Sequence, residues 1–230
     1  MSIDAIDFDP VGWCGAHAHV GPVPTGRVPE PVGRTVDVAH GTIHFGPDLT
    51  LPVRPMVGCV GTAPHDGPWS TALPGRHGGN MDQSIVTVGV RVLLPVYVPG
   101  ALVFVGDLHA SQGDGELSGV GLEIGGRVTT TLSRVADAGL AWPWAIAPDR
   151  LAVLVAGQTF TEAREAAVDS MMTAIEHSLG MSPGEALALL SIAGDLRIGQ
   201  SYGSGPMTLR LEVPRDLGVS PLPITQGVAS

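Results

Sequence analysis

Lysine is absent from this 230-residue sequence, so all twelve of its basic residues are arginines. Any chemistry that needs a lysine amine from this chain is therefore excluded. Acidic residues number 22, which brings the net charge to -10. We expect no nucleic-acid partner, because a surface that follows phosphates needs clustered arginine and lysine.

Cysteine is scarce, and long apolar runs are missing. Cys14 and Cys59 are the two cysteines, too few for a disulfide framework or a zinc cluster of the C-x-x-C type. No apolar run approaches the roughly 18 residues of a membrane-spanning helix. No basic and apolar leader opens the sequence. We therefore expect a reduced, cytoplasmic protein with no membrane segment.

Charged residues are few, whereas glycine and proline are abundant. Charged residues make up 15% and hydrophobic residues 44%, so the chain can bury a sizeable core. The 32 glycines and 20 prolines lie between short apolar runs, and such frequent turns favour strands. The expected fold class is α+β, mainly β, with two helices in the C-terminal part.

The hydrophobic pattern divides the chain into three parts. Residues 1–35 are expected to form an irregular N-terminal segment with a strand at 2–8, residues 36–217 the main domain, and residues 218–230 a loose tail. Within the main domain, helical spacing predicts helices over 161–179 and 183–193, and alternation predicts a strand over 207–213. The second helix opens with a capping box of Ser182 and Glu185.

Two apolar runs, 85–98 and 101–106, flank Pro99-Gly100. Each run predicts a strand, and the short connection predicts a tight reversal with antiparallel pairing. A polar loop over 107–116 then precedes a strand over 120–132. Because rigid strands hold both of its ends, this loop is a candidate functional site.

Four ionisable side chains crowd that loop, namely Asp107, His109, Asp114 and Glu116, with Gln112 among them. Carboxylates and histidine are ligand types for divalent metals. The loop has no lysine or arginine, so its carboxylates would repel one another unless one is protonated or a cation joins them. The alternative is an exposed acidic turn; an EF-hand is excluded by the spacing.

A second polar segment lies just before the predicted strand at 85–98 and holds His77, Asn80 and Asp82. The alternative to a binding role is a turn that Asn80 caps with its own side chain. Glu123 has the opposite phase to the apolar residues beside it and is expected to face solvent.

Other histidines and cysteines carry weaker signals. His17 and His19 would share a face of an extended segment and could bind a metal, although such pairs are more often incidental. Cys59 lies in an apolar run and is expected in the core, and Cys14 is expected to be partly exposed.

Four segments form an ordered set of motifs. They are PGRHGGNMD at 74–82, LPV-x-VPGAL at 94–102, GD-x-HA-x-QGDGE at 106–116 and SIAGDLRI at 191–198. In this order they strongly resemble the acetamidase/formamidase family, over roughly residues 40–217. The resemblance implies a β-sandwich and barrel assembly with a small α/β part. It also implies a homo-oligomeric, cytoplasmic enzyme that hydrolyses short amides to a carboxylate and ammonia with a divalent metal.

The resemblance also implies a difference in length. Family members have a further β segment before the point at which this sequence begins. We therefore expect a short form of the family or a fragment, with residues 3–8 corresponding to the last strand of that segment.

Seven residues occupy matching motif positions, and their roles are assigned on chemical grounds. Asp82, Asp107 and His109 are the expected metal ligands, with zinc as first choice and calcium or magnesium as alternatives. Glu116 is the expected general base and later acid, with Asp114 as a second catalytic group. Asn80 and Gln112 are expected to orient the small-molecule amide substrate.

The missing lysine bears on the mechanism. It excludes the Glu-Lys-Cys set of nitrilase-like amidases and the Ser-Ser-Lys set of amidase-signature enzymes, unless another chain supplies a lysine. A metal-activated water needs neither set. Two alternatives stay open: a catalytically silent or divergent family member that binds a small ligand or serves as a subunit, and a hydrolase of another non-peptide C–N bond.

Overall fold

The computed structural model describes residues 1–17, 20–24, 26–136, 139–201, 203 and 205–221. Within these ranges the chain forms fourteen strands and two α-helices. The strands are β1 (Ser2–Ala16), β2 (Val32–Ala39), β3 (Thr42–Gly46), β4 (Leu49–Pro52), β5 (Met56–Gly61), β6 (Pro74–Gly75), β7 (Gly78–Asn80), β8 (Arg91–Leu93), β9 (Phe104–His109), β10 (Glu123–Thr131), β11 (Trp144–Ile146), β12 (Arg150–Gly157), β13 (Asp195–Ile198) and β14 (Met207–Pro214). The helices are α1 (Phe160–Leu179) and α2 (Pro183–Ala193), and a 3-10 turn covers Arg215–Leu217.

The strands form one curled, antiparallel sheet. Its order is β13-β14-β12-β11-β8-β1-β10-β9-β5-β7-β6, and β2, β3 and β4 branch from β1 as a meander. Both helices follow β12, so the α+β, mainly β class with two C-terminal helices is confirmed. The order places β9 between β5 and β10, and this is the region that carries the candidate site.

Both helices match their predicted ranges, except that α1 begins one residue earlier, at Phe160. Thr159 caps α1 by accepting a hydrogen bond from the Glu162 N–H, and Gly180 ends that helix in the left-handed region. The predicted capping box of Ser182 and Glu185 opens α2. Among the described residues, no helix has both the length and the apolar character needed to cross a membrane.

Two apolar cores stabilise the fold. The helical core joins α1 to β12 and β14 through buried residues that recur every three or four positions on α1, namely Ala163, Ala167, Met171 and Ala174. The second core lies under β1, β5 and β10 and includes Ile3, Val57 and Ile124. The candidate site is built over this second core, so packed strands hold its side chains.

The prediction of an irregular segment over 1–35 is wrong for its first half. β1 runs for 15 residues and pairs with β10 and β2. Pro10, which follows the predicted strand at 2–8, lies where the register with β10 shifts between Phe8 and Gly12. A bulge tolerates proline because the residue there has no ladder hydrogen bond to donate.

The predicted tail is described only in its first residues. Residues 222–230 lie outside the described part of the chain. Val219 is buried in the helical core with 3% of its surface exposed. The tail is therefore packed at its start rather than loose.

The predicted hairpin around Pro99-Gly100 is wrong. The run over 85–98 contains only the short strand β8, which pairs with β11 and, at one residue, with β1. β9 pairs instead with β5 and β10. Residues 85–90 form turns although Val86 and Val90 are buried, so burial rather than strand formation explains the apolar run. Asp107 and His109 consequently lie in a strand and not in a loop.

Candidate functional site

Four residues of the two polar segments meet at the end of β9, namely Asp82, Asp107, His109 and Glu116. His109 pairs with Met56 on one side and with Glu123 on the other. A cavity of about 570 Å³ opens beside this strand and is lined by Asn80, Asp82, Asp107, Glu116 and Glu123 among others. The structure therefore brings residues of the segments 74–82 and 107–116 to one cavity, as a shared ligand set of Asp82, Asp107 and His109 requires.

Three of the acidic residues have an unusual backbone conformation. Among the described residues, six other than glycine have a positive φ angle, and three of the six are Asp82 at 46°, Asp107 at 60° and Glu116 at 42°. Holding such a residue in the left-handed region costs about 1–2 kcal/mol. Strain of this kind persists where the surrounding structure fixes the backbone, and it clusters at functional sites.

The cluster contains the ligand atoms for a cation. Asp82, Asp107 and His109 offer atoms within 4.8 Å of one another, and so do His109, Glu116 and Glu123. Asp82 Oδ1, His109 Nε2 and Glu116 Oε2 are buried without a hydrogen-bond partner among the described residues. Buried polar atoms are rarely left unsatisfied. A divalent cation held by Asp82, Asp107 and His109 would satisfy the first two of these atoms, so the donor set fits such an ion.

A glycine leaves room for two of the carboxylates. A Cβ atom at Gly58 would lie 2.4 Å from Asp107 Oδ2 and 2.6 Å from Asp82 Oδ1. Such distances are far below van der Waals contact, so only glycine permits this approach of carboxylates to the β5 backbone.

The electrostatics of the cluster also favour an added positive charge. Burial, and then the charge of Asp107, raise the pKa of Asp82 to about 7. Burial, and then the charge of Asp82, raise the pKa of Glu116 to about 8. Burial lowers the pKa of His109, but the neighbouring carboxylates of Asp107 and Glu123 outweigh it and raise that pKa to about 11. Each shift favours adding positive charge to the cluster, as a proton or as a metal ion.

Gln112 orients the histidine. Its Nε2 donates to the Asp82 carbonyl at 2.8 Å and to the Gly199 carbonyl at 3.3 Å, so its Oε1 accepts from His109 Nδ1 at 2.8 Å. With the proton on Nδ1, the Nε2 lone pair is left for a metal ion. Nε2 lies 3.0 Å from Glu123 Oε1 but makes no well-oriented hydrogen bond there. This placement favours an orienting role toward His109 over the predicted contact with substrate.

We expect Gly121→Ala to displace His109. A Cβ at residue 121 would lie 2.5 Å from Nδ1 and 2.7 Å from Cγ of the His109 ring, well inside van der Waals contact. The ring must move, so affinity for zinc should fall by about 10–100-fold, the usual cost of disturbing the support of a ligand. Competition with a chromogenic chelator measures this affinity.

Gly113→Ala is the matched control for this change. Gly113 lies in the neighbouring loop, and a Cβ there meets nothing within 4 Å. Its zinc affinity should equal that of the unchanged protein. Equal affinities for the Gly121 variant and the control would contradict the position assigned to His109.

Asn80 and Cys59 lie side by side at the cavity wall. The Cys59 thiol donates to Asn80 Oδ1 at 2.9 Å, which leaves the Asn80 amide N–H groups free to donate into the cavity. Burial, and then the charges of Asp107 and Asp82, raise the pKa of the Cys59 thiol. Cys59 was expected in the core, but it is half-buried at the cavity as a protonated thiol.

Asp114 lies apart from the cluster. Both of its oxygens accept hydrogen bonds from Arg210, at 2.9 and 2.7 Å, and Ser84 Oγ donates to it at 2.7 Å. It does not line the cavity that holds Glu116. This placement corrects the predicted catalytic role, because a carboxylate fully engaged by a guanidinium is a poor proton acceptor.

Glu123 belongs to the cluster, contrary to the expectation that it faces solvent. Its neighbours Leu122 and Ile124 are buried in the core, as the alternation predicts. The other face of the strand is turned toward the cavity instead of bulk water. One signal could have identified Glu123: it lies on the polar face of a strand that follows an acidic motif.

The predicted pair of His17 and His19 falls partly outside the described residues, because His19 is not among them. His77 is buried and stacks edge to face against Trp69 at 5.2 Å between ring centroids. This packing indicates a structural role for His77 in the wall beside the site.

A second cavity of about 670 Å³ is larger and lies beyond that wall. Its lining includes Trp69, Tyr97 and Trp142, with Arg76 stacked on Trp142 at 4.7 Å. The largest cavity is often the default choice for a site. Here the smaller cavity holds the strained backbone and the unsatisfied polar atoms, so it is the candidate.

The fold and the cluster together define a β-rich protein with carboxylates and a histidine gathered beside one cavity. The chain belongs to the acetamidase/formamidase family, whose model matches residues 65–216. It is 49% identical over 57 residues to an acetamidase of Mycolicibacterium smegmatis and 43% identical over 68 residues to a formamidase of Methylophilus methylotrophus. These stretches cover 24% and 29% of this chain.

A solved structure extends the comparison to nearly the whole chain. It is a recombinant predicted acetamidase/formamidase from the thermophile Thermoanaerobacter tengcongensis, with a TM-score of 0.89 and 32% identity. The match covers 94% of this chain and 71% of that one. The two sequence relatives are matched over only 14% and 17% of their own lengths.

Proposed function

We propose that this protein hydrolyses a short linear amide to a carboxylate and ammonia at the cavity beside β9. The observation that carries the proposal is the set of buried, unsatisfied atoms of Asp82 and Glu116, which line that cavity, and of His109 beside them. The family membership supports the choice of an amide bond. We further propose a cytoplasmic, homo-oligomeric enzyme that uses zinc, with calcium or magnesium as alternatives.

Asp82, Asp107 and His109 are the proposed ligands of the cation. Their donor atoms lie within 4.8 Å of one another, and Gln112 holds the histidine in the tautomer that leaves Nε2 unprotonated. A bound divalent ion supplies Lewis acidity and lowers the pKa of a bound water toward neutrality. The histidine favours zinc over calcium and magnesium, which prefer oxygen ligands alone.

Glu116 is the proposed general base and later the general acid. Its buried Oε2 has no hydrogen-bond partner among the described residues, so it is free to accept a proton from the attacking water. The same proton can then pass to the leaving amine. Burial and the neighbouring Asp82 raise the pKa of Glu116 to about 8, near the value that suits both steps at neutral pH.

Asn80 is the proposed group that orients the substrate. Because its Oδ1 accepts from Cys59, its amide N–H groups remain for the substrate carbonyl oxygen. The lining of the cavity also contains Phe104, Val105 and Val120. These apolar side chains are suited to a short acyl group.

A panel of substrates tests the reaction class. Purified protein is assayed for ammonia release from formamide, acetamide, urea and a cyclic imide, after its metal content has been measured by elemental analysis. We expect turnover of the linear amides. Turnover of urea or the imide alone would identify another C–N bond, and silence across the panel with metal bound would identify a binding protein or subunit.

A further inference from the structure

A buried arginine outside the cavity contacts the segments that carry the site. Arg210 lies on β14, and 5% of its side chain is exposed. Its Nη1 and Nη2 atoms donate to the two oxygens of Asp114 at 2.9 and 2.7 Å. A bidentate pair of this kind fixes the orientation of the carboxylate as well as its position.

The same guanidinium reaches the segment that follows Asp82. Arg210 Nη1 donates to Gln83 Oε1 at 3.2 Å, and Ser84 Oγ donates to Asp114 at 2.7 Å. Asp114 precedes Glu116 by two residues. One side chain on β14 therefore connects the backbone that carries Asp82 to the backbone that carries Glu116.

Both of these backbones are strained, which explains why they need such a connection. Asp82 and Glu116 each have a positive φ angle, a conformation that persists only where the surrounding contacts fix the backbone. Backbone hydrogen bonds hold the loop at Gly115, whose N–H donates to the Ile198 carbonyl at 2.9 Å. The loop is thus held from the C-terminal part of the chain at two successive residues, 114 and 115.

We propose that Arg210 is a positioning residue of the hydrolytic site, which sets the placement of Asp82 relative to Glu116 through Gln83 and Asp114. This inference rests on the proposed function. Arg210 does not line the cavity and acts only through these neighbours. Because Asp82 is a proposed metal ligand, the loss of this positioning should also weaken metal binding.

Arg210→Lys tests the proposal, because lysine keeps the charge but loses the planar fork. We expect kcat for acetamide to fall by about 10–100-fold, with KM changed by less than about threefold. Zinc affinity, measured by competition with a chromogenic chelator, should fall by about tenfold or more. Both are measured on protein shown to be folded by circular dichroism. A purely structural arginine would lower Tm without changing kcat or zinc affinity of folded molecules.

Arg197→Lys is the matched control. Arg197 is 47% exposed and lies 3.6 Å from Glu212, which is also a partner of Arg210. It therefore belongs to the same ion-pair network but makes no bond to the site segments among the described contacts. Its kcat and zinc affinity should match those of the unchanged protein.

The outcomes separate this inference from the proposed function. A folded Arg210→Lys protein with kcat and zinc affinity within threefold of the unchanged protein overturns the inference. If that variant does not fold, Asp114→Asn is read in the same two assays, with the same expected losses and the same overturning result. If the unchanged protein turns over no amide, the proposed function fails, and the zinc measurement still decides the role of Arg210.

Discussion

Glu116→Gln should lower kcat for acetamide by about 10²–10⁴-fold, which is the usual contribution of a positioned general acid and base. Glutamine keeps the size and shape of the side chain but cannot accept the proton of the attacking water. Because the proposed ligands Asp82, Asp107 and His109 are unchanged, bound metal should stay near that of the unchanged protein. Steady-state ammonia release and elemental analysis on the same preparation measure both quantities.

Glu165→Gln is the control for that change, since Glu165 is exposed on α1 far along the chain from the site. It should leave kcat unaltered. If Glu116→Gln keeps kcat within threefold of the control, Glu116 is not the base. If the variant loses its metal as well as its activity, Glu116 is a ligand, as its place beside His109 and Glu123 would allow.

Asp82→Asn should change protein stability in opposite directions with and without metal. Asp82 is buried, and its carboxylate lies within 4.8 Å of the ligand atoms of Asp107 and His109. In metal-free protein, removal of one of the repelling charges should stabilise the fold by on the order of 1–2 kcal/mol. For a domain of this size that is a Tm rise of roughly 2–8 °C.

With zinc at about 100 times its Kd, the unchanged protein should gain about 2.7 kcal/mol, and the variant much less. The Asp82 variant should therefore have the higher Tm in chelator, and the unchanged protein the higher Tm in zinc. Asp114→Asn is the control: its charge is paired with Arg210, so its loss should destabilise the protein in both conditions. An Asp82 variant that is less stable than the unchanged protein in chelator would contradict the repulsion.

Much of the site could be predicted because its residues lie in two compact motifs. Asn80 and Asp82 come from one segment, and Asp107, His109 and Glu116 from the other, and all but the histidine line the cavity. Ligand chemistry and family resemblance identify these residues without knowledge of the fold. The helices are equally local, because Thr159 and the Ser182 box mark their starts.

The errors concern contacts between distant parts of the chain. Arg210 is 96 residues from Asp114, and its strand shows ordinary alternation, so nothing local indicates that it supports the site. Glu123 shows why phase alone is insufficient: the side of β10 away from the core faces a cavity, and periodicity cannot tell a cavity from solvent. The apolar run over 85–98 was assigned to one strand because buried turns and buried strands have the same composition.

Asp114 and Gln112 show a related ambiguity in function. Both are polar residues within the motif of Glu116, and their chemistry allows a catalytic or a substrate-binding role. Their hydrogen-bond partners argue against these roles. Arg210 binds Asp114, whereas His109 and the Asp82 carbonyl bind Gln112. Sequence spacing places a residue near a site, whereas hydrogen-bond partners determine whether it can touch a substrate.

Ammonia release from acetamide, measured before and after removal of bound metal by a chelator and again after zinc is restored, tests the central claim most directly. The account predicts that the unchanged protein loses its activity with the metal and regains it with zinc, and that Gly121→Ala needs more zinc to recover than Gly113→Ala. Undiminished ammonia release from folded, metal-free protein would contradict the account.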